Sequence, residues 1–298
     1  MRCAHPLLQP AFALPPRHLP HPTRALRTSR ASLELTSARN PHLKLARSLL
    51  RRRHRDKNNL ILLEGQRLIE DALSASFAPH QLFYSDKLLR RSAAMGALLA
   101  DVRRSGCAPM LVAEPIMRSL CNTVSPQGVV AVLERPALPL PDSGTLALVC
   151  DEVRDPGNVG TLLRSAAGAG VDAVLMTHGC ADPWGLKVLR AGMGAHFRLP
   201  VQVDQSWDEV MQVVHKWGCE VSVADGGGED YAKVDWCGPA AIVVGGEANG
   251  PGERAFQEAQ GRVVGIPLCS GMESLNAAVA GSVVLFEVRR QRHSCVVS

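Results

Sequence analysis

The chain predicts an α/β fold in two parts, a small α/β domain followed by a larger one built on a parallel sheet. Short strand-like runs alternate with helical-period segments through most of the 298 residues. A proline-rich stretch, RPALPLPDSG (135–144), breaks that alternation near the middle and cannot continue a helix. Beyond it, strand and helix patterns recur regularly, the arrangement of a mainly parallel sheet covered on both faces.

Residues 1–33 contain no Asp or Glu, five Arg and six Pro. That is the composition of an organelle transit peptide, expected over 1–38, with a plastid preferred to a mitochondrion. Between His42 and Asp56, Leu43, Leu45, Leu49 and Leu50 make an apolar stripe beside a dense cationic run. Arg51, Arg52, Arg53, Arg55 and Lys57 are the candidate RNA-binding residues, since the remainder of the chain is acidic. Strands are predicted over Leu60–Leu63, Gln81–Tyr84, Met110–Ala113 and Val129–Leu133, with helices beginning near Gln66, Lys87 and Pro115. The first domain is thus expected over 40–135, with a linker over 136–144.

In the second domain, expected over 145–292, Leu146–Cys150 reads as a buried strand. Val159, Leu162, Leu163, Ala166 and Ala167 then mark one face of a helix, stopped by Gly168 and Gly170. Further strands are predicted at Val171–Thr177, Phe197–Val203, Cys219–Ala224, Ala241–Val244 and Val263–Pro267. Ser206 and Glu209 form a capping box for a helix with Trp207, Val210, Met211, Val214 and Trp217 on its buried stripe. Ser274 is expected to open a last helix, with Arg289, Arg290 and Arg292 complementing its dipole.

Composition narrows the function. Residues 1–55 carry twelve Lys/Arg against one acid, Glu34, while the rest carries 21 basic and 27 acidic residues. A basic arm on an acidic body points to a polyanionic partner. Aromatic residues make up 4% of the chain, too few for recognition mainly by base stacking. No apolar run reaches the ~18 residues of a membrane-spanning helix. The nine cysteines are all at least fourteen positions apart, so no zinc-ligand spacing exists, and reduced thiols are expected. No metal is expected.

Three Gly/Asn-rich loops follow predicted strands, the place where open parallel sheets bind ligands. In the first, DEVRDPGNVGTLLRSAAGAG (151–170), Pro156-Gly157 turns the chain and Asn158 is placed to cap the helix bearing Arg164. By spacing alone this is equally a capped surface helix with a solvated Arg. The second, VVGGEANGPGERA (243–255), has glycines for close backbone approach and Glu247 where strand becomes loop. It is neither a P-loop nor a dinucleotide fingerprint. The third, from Val263 to Arg292, ends a strand at Pro267 and leads through Ser274, Leu275 and Asn276 into the last helix.

Taken together, N-x-x-x-x-x-R, G-G-E-x-x-G and I-P-x-x-x-G-x-x-S-L-N, in this order, resemble the three signature motifs of the SpoU family of RNA ribose 2′-O-methyltransferases. KVLRAGMGAHFRLPV (187–201) resembles that family's connecting segment, and Leu63-Glu64-Gly65 with the basic segment before it resembles its N-terminal RNA-binding domain. Leu268 stands where the family commonly has Met, and Ala277-Ala278 where it commonly has Val-Ser.

The resemblance implies a parallel-sheet α/β-knot domain with a deep trefoil knot, preceded by a small α/β RNA-binding domain, and a homodimer. It implies S-adenosylmethionine as cofactor, with Gly245, Gly246, Ile266, Leu275 and Thr177 as the cofactor-binding positions. Arg164, Asn158, Glu247, Ser274 and Asn276 are the implied catalytic set. A guanidinium is a poor proton acceptor, so Arg164 is expected to clamp a phosphate and stabilise a developing alkoxide. The expected substrate is organellar rRNA. Transfer RNA, or a non-catalytic RNA-binding protein keeping the fold, are the alternatives. The missing glycine fingerprint after Leu146–Cys150 counts against a nucleotide-dependent oxidoreductase.

Overall fold

Strand-forming runs assemble into two sheets, each with apolar side chains on both faces. The structure is a computed structural model that describes residues 34–37, 39–86, 93–123, 125–269 and 271–297. Most of the expected transit segment, and the expected helix start near Lys87, lie outside the described residues.

The first sheet holds β1 (Leu60–Glu64), β2 (Gln81–Tyr84), β3 (Met110–Leu111) and β4 (Val129–Glu134) in the order β1-β4-β2-β3. β4 is antiparallel to β1 and β2, and β2 is parallel to β3. Around it lie α1 (Pro41–Ser48), α2 (Arg52–Asn58), α3 (Gln66–Ser74), α4 (Ala93–Arg104) and α5 (Glu114–Leu120). Alternation sends Leu62, Phe83, Val130 and Val132 toward α1 and α5, and Ile61, Leu63, Leu82 and Ala131 toward α3 and α4. β3 is shorter than expected because Ala113 already caps α5, whose first turn carries Pro115.

The second sheet holds β5 (Leu146–Asp151), β6 (Ala173–Thr177), β7 (Val201–Gln205), β8 (Glu220–Asp230), β9 (Ala240–Gly245) and β10 (Val263–Gly265). Its order is β10-β8-β9-β5-β6-β7, and every pairing is parallel. The helices are α6 (Pro156–Ala169), α7 (Leu186–Gly192), α8 (Trp207–Trp217), α9 (Glu253–Ala259) and α10 (Ala277–Val297). Leu146, Leu148, Cys150, Ile242 and Val244 face α6 and α10; Ala147, Val149, Ala241 and Val243 face α8 and α9. The chain leaves β5 toward β6 on one side, while β9 lies on the other. The crevice beyond the carboxyl ends of β5 and β9 is therefore the topological place for a ligand.

Several local expectations need correction. Phe197 lies in a 3-10 turn (Ala195–Phe197), so β7 starts only at Val201. Its ring packs with Trp184 and Leu189 into the core of the first sheet, and that tertiary contact overrides its strand propensity. β8 runs on to Asp230, where it pairs with β10. A side chain at Gly228 would stand 2.5 Å from the carbonyl carbon of Val263, so only glycine allows the two backbones to meet. Asp155, not Asn158, caps α6, accepting the Asn158 backbone N–H at 2.9 Å. The last helix opens at Ala277, because the Asn276 side-chain oxygen Oδ1 accepts the N–H groups of Ala278 and Val279 at 3.0 and 3.1 Å. Arg292 does not serve its own helix end: it donates to the carbonyls of Thr145, Trp236 and Gly238. The cysteines are not all reduced, since Cys237 and Cys295 form a disulfide between the loop after β8 and α10. Burial pushes the Cys150 thiol well above its ordinary range and Cys180 up to about 11, so both are inert thiols.

The two sheets share buried contacts and charges. Trp184, Leu189 and Phe197 enter the core of the first sheet. Glu64, 3% exposed, accepts Arg190 at 2.9 Å and the Asn122 N–H at 3.2 Å. Arg55, 6% exposed, pairs with Asp182 and donates to the Leu49 carbonyl at 2.6 Å; Arg52 pairs with Asp204. Two of the five expected RNA-binding cations are thus engaged within the protein, Arg55 entirely so. Arg51, Arg53 and Lys57 remain exposed.

His196 lies in the same junction, buried against Trp184. Its Nε2–H donates to the Pro183 carbonyl at 2.9 Å, and burial lowers its pKa to about 4 from an ordinary 6.5. The unfolded chain binds a proton below pH 6.5, and the folded one only near 4. Stability is therefore retained above 6.5 and falls as the pH drops through that window, by about 3 kcal/mol at the lower end. A His196→Gln variant is expected to show a flatter decline in urea midpoint between pH 6.5 and 4; a parallel decline would exclude this source.

Candidate active site

Loops after β5, β9 and β10 converge at the carboxyl edge of the second sheet. The loop after β9 folds back sharply, with the Gly250 N–H bonded to the Gly246 carbonyl at 2.9 Å. A Cβ at Gly245 would collide with the Gly250 and Pro251 backbone, and one at Gly246 would lie 2.7 Å from the Glu152 carbonyl oxygen. The paired glycines are there because main chain packs on main chain.

Asp151 holds this loop in place. The carboxylate, 4% exposed at the end of β5, accepts the Gly252 N–H at 2.7 Å and the Thr177 hydroxyl at 3.1 Å. Thr177 in turn accepts the Glu152 N–H at 3.0 Å. Thr177, expected at the cofactor, lies buried beneath the loops and lines neither of the two cavities between them. Sequence reading missed Asp151; a lone carboxylate ending an apolar strand was the available signal.

The third loop is tied to the other two by one side chain. The Asn276 amide nitrogen donates to Asn158 Oδ1 at 3.0 Å and to the Glu247 carboxylate. The three implied polar residues from separate loops thus form one hydrogen-bonded group. Asn158 is 7% exposed, and its own amide nitrogen is without a partner among the described residues.

A cavity of about 760 Å³ opens between the loops. Gly245, Gly246, Ile266 and Leu275 line it, as do Glu247, Ser274 and Asn276. Backbone from β8, β9 and β10 supplies much of the wall, a cradle for an apolar, polar-edged group of nucleoside size. A second cavity of about 290 Å³ adjoins it and is walled by the first and second loops, including Asn158. Among the described residues, no group of three His, Cys, Asp or Glu is gathered as for a metal ion.

Arg164 is not brought to either cavity. It stands exposed on α6 in line with Thr161 and Gly168, six residues beyond Asn158, about 9 Å along the helix axis. Beside this face α10 exposes Val279 and Phe286, at 47% and 48%, and Phe286 lies over Gly168.

Known proteins share both parts. Residues 145–286 match the family described as SpoU rRNA Methylase, and residues 40–131 the MRM3-like substrate binding domain. The human mitochondrial rRNA methyltransferase 3 is 35% identical over 295 residues, covering 80% of this chain and 69% of that protein. A 23S rRNA (guanosine(2553)-2′-O)-methyltransferase of Bacillus subtilis is 30% identical, covering 86% and 99%. Among solved structures, an AdoMet-bound rRNA methyltransferase from Sinorhizobium meliloti superposes with TM-score 0.74 at 30% identity, covering 86% and 97%. The SpoU methyltransferase AviRb of Streptomyces viridochromogenes, with AdoMet, gives TM-score 0.77 at 28% identity, covering 86% and 99%.

Replacing Asp151 by Ala strands the Gly252 N–H and the Thr177 hydroxyl, a cost of roughly 2 kcal/mol. The variant is expected to melt lower and to bind S-adenosylmethionine several-fold more weakly by calorimetry, with Asp151→Asn between it and wild type. Affinity equal to wild type in Asp151→Ala would remove Asp151 from cofactor-loop positioning.

Proposed function

The chain belongs to the SpoU rRNA methylase family, and from that membership we propose that it methylates a ribose 2′-hydroxyl of organellar rRNA. It is an S-adenosylmethionine-dependent RNA methyltransferase with the α/β-knot fold of that family. The observation that carries the ribose reading is the Asn158–Asn276–Glu247 group at the junction of the two cavities.

The larger cavity fits the cofactor, because its backbone walls accept a flat base and its glycines leave room for close contact. When bound there, S-adenosylmethionine supplies an electrophilic methyl group. Gly245, Ile266 and Leu275 hold it through main chain, and Gly246 and Ser274 complete the wall. Glu247 and Asn276 fix the loops against each other, and Asn158 orients the sugar. Methyl transfer would form the O–C bond as the sulfonium C–S bond breaks, S-adenosylhomocysteine leaving and the 2′-hydroxyl proton passing to solvent; the chain's part is to hold the 2′-oxygen in line, about 3 Å from the methyl group.

Stabilising that oxygen falls to Arg164 in this reading, acting on the adjoining phosphate and the developing alkoxide. Its position outside both cavities of its own chain, beside exposed Val279 and Phe286, supports a homodimer closed through α6 and α10. The guanidinium then serves the second copy's cavity. Arg51, Arg53 and Lys57 supply exposed phosphate contacts on the substrate domain. The mitochondrial relatives and the acid-free start support an organelle, and the plastid of the sequence reading is the finer assignment.

Arg164→Ala is expected to lower kcat by roughly 10²–10³-fold, with Arg164→Lys recovering little of it. Mixed dimers of Arg164→Ala and Asn276→Ala chains, each inactive alone, are expected to regain activity, since one site is then complete. Without recovery, the arrangement across the dimer fails. An Arg51→Ala/Arg53→Ala/Lys57→Ala variant is expected to flatten the slope of log K against log salt by about 0.7–0.9 per lost contact. Mapping 2′-O-methyl groups in organellar RNA with and without the protein tests the substrate; a lost mark on tRNA alone overturns the rRNA reading.

A further inference from the structure

We propose that Asp225 and Glu273, on two walls of the larger cavity, select its ligand by charge. They favour the cationic sulfonium of S-adenosylmethionine over the uncharged thioether of S-adenosylhomocysteine. This rests on the assignment of that cavity to the cofactor and goes beyond it, naming the side chains that keep one form and let the other go.

The first observation is the balance of charge. Asp225, Glu247 and Glu273 line the cavity, and no Lys, Arg or His does. Glu247 is engaged by the Asn276 amide. Asp225 accepts a backbone N–H, that of Gly227 at 3.3 Å. Neither Asp225 nor Glu273 has an ion-pair partner among the described residues. Carboxylates left unneutralised beside a site that meets RNA repel the polyanion, so a cationic ligand is their fitting counterpart.

The second observation is how Asp225 reaches the cavity. Consecutive β10 residues Val263 and Val264 pair with Val223 and Glu229 of β8, so residues 224–228 are looped out of that ladder. The looped-out run is Ala-Asp-Gly-Gly-Gly, with Asp225 its one charged side chain. Bulges of this kind re-aim a side chain beside an active site. Here the bulge brings Asp225 between the second loop and the end of β10. Its Oδ1 lies 3.9 Å from where a Cβ on Gly250 would stand, and its carbonyl oxygen 2.9 Å from one on Gly265. The third loop closes on the same bulge, with the Glu273 carbonyl oxygen 4.0 Å from a Cβ on Gly226. Both residues are exposed while lining the cavity, which places them at its rim.

The third is the chemistry of the two ligands. S-adenosylmethionine carries a sulfonium and an ammonium against one carboxylate, a net positive charge. In S-adenosylhomocysteine the bonding pair of the lost methyl stays on sulfur, and the molecule is neutral overall. Adenosine and amino-acid tail are the same in both, so main chain at Gly245, Ile266 and Leu275 does not tell them apart. Charge does, through a Coulomb attraction that salt weakens at an exposed rim.

The test is calorimetry on the full chain with S-adenosylmethionine, S-adenosylhomocysteine and sinefungin, in which a protonated amine replaces the sulfonium. At low salt the two cationic ligands are expected to bind roughly tenfold tighter than S-adenosylhomocysteine, the ratio shrinking at high salt. Asp225→Asn, which keeps an oxygen for the Gly227 N–H, and Glu273→Gln each reduce the ratio. Together they bring it close to one by weakening the cationic ligands, while S-adenosylhomocysteine binds as to wild type, which also certifies folding. A merely structural role lowers all three affinities alike, and that result overturns the proposal. Equal binding of the three ligands to wild type, or a ratio that survives the double substitution, overturns it as well. If wild type binds none of the three, the cofactor assignment of the cavity itself fails, and the proposal with it.

Discussion

The side-chain amide of Asn276 is the point on which the three loops depend. Its nitrogen reaches Asn158 on the first loop and Glu247 on the second, and its oxygen closes the first turn of α10. An amide can do this because it is donor and acceptor at once, with the two functions about 120° apart. A carboxylate there would repel Glu247, and a hydroxyl lacks the reach. The same residue thus decides where the last helix begins and ties the third loop to the other two. Asp151 does the matching work from below, holding the second loop to the strand beneath it.

The junction between the two sheets changes the meaning of the basic segment. Read as sequence, five cations near the chain's start look like one electrostatic surface. In the fold, Arg55 is turned inward to Asp182 and Arg52 is bound to Asp204, while Arg190 crosses the other way to buried Glu64. Removing one partner from the Arg55–Asp182 or Arg190–Glu64 pair leaves an uncompensated buried charge, so these two fix the orientation of the substrate domain more than they add stability, whereas the half-exposed Arg52–Asp204 pair adds little. The exposed remainder, Arg51, Arg53 and Lys57, is a smaller patch on a positioned surface.

The α6–α10 face carries a similar lesson about distance. Arg164 follows Asn158 by six residues, which on a helix puts it about 9 Å away and on another side. A sequence motif reads as one unit, yet the helix splits it between the cavity wall and an exposed face. Val279 and Phe286 on the neighbouring helix give that face its apolar character. Spacing in sequence therefore groups Asn158 and Arg164 without giving their geometry.

Sequence alone determined the strand and helix order, the parallel character of the second sheet, the capping box at Ser206 and the three Gly/Asn-rich loops at the ends of its strands. These rest on local periodicity, turn residues and motif spacing, which are properties of neighbouring residues. Only the tertiary structure decided that Phe197 turns instead of extending, that β8 runs on through its glycines, and that Thr177 and Arg55 are buried against Asp151 and Asp182. Only it showed the disulfide between Cys237 and Cys295 and the role of Asp151. Each of these depends on a partner tens of residues away or more. A side chain's burial and its charge partner belong to the packed chain, and no local pattern records them.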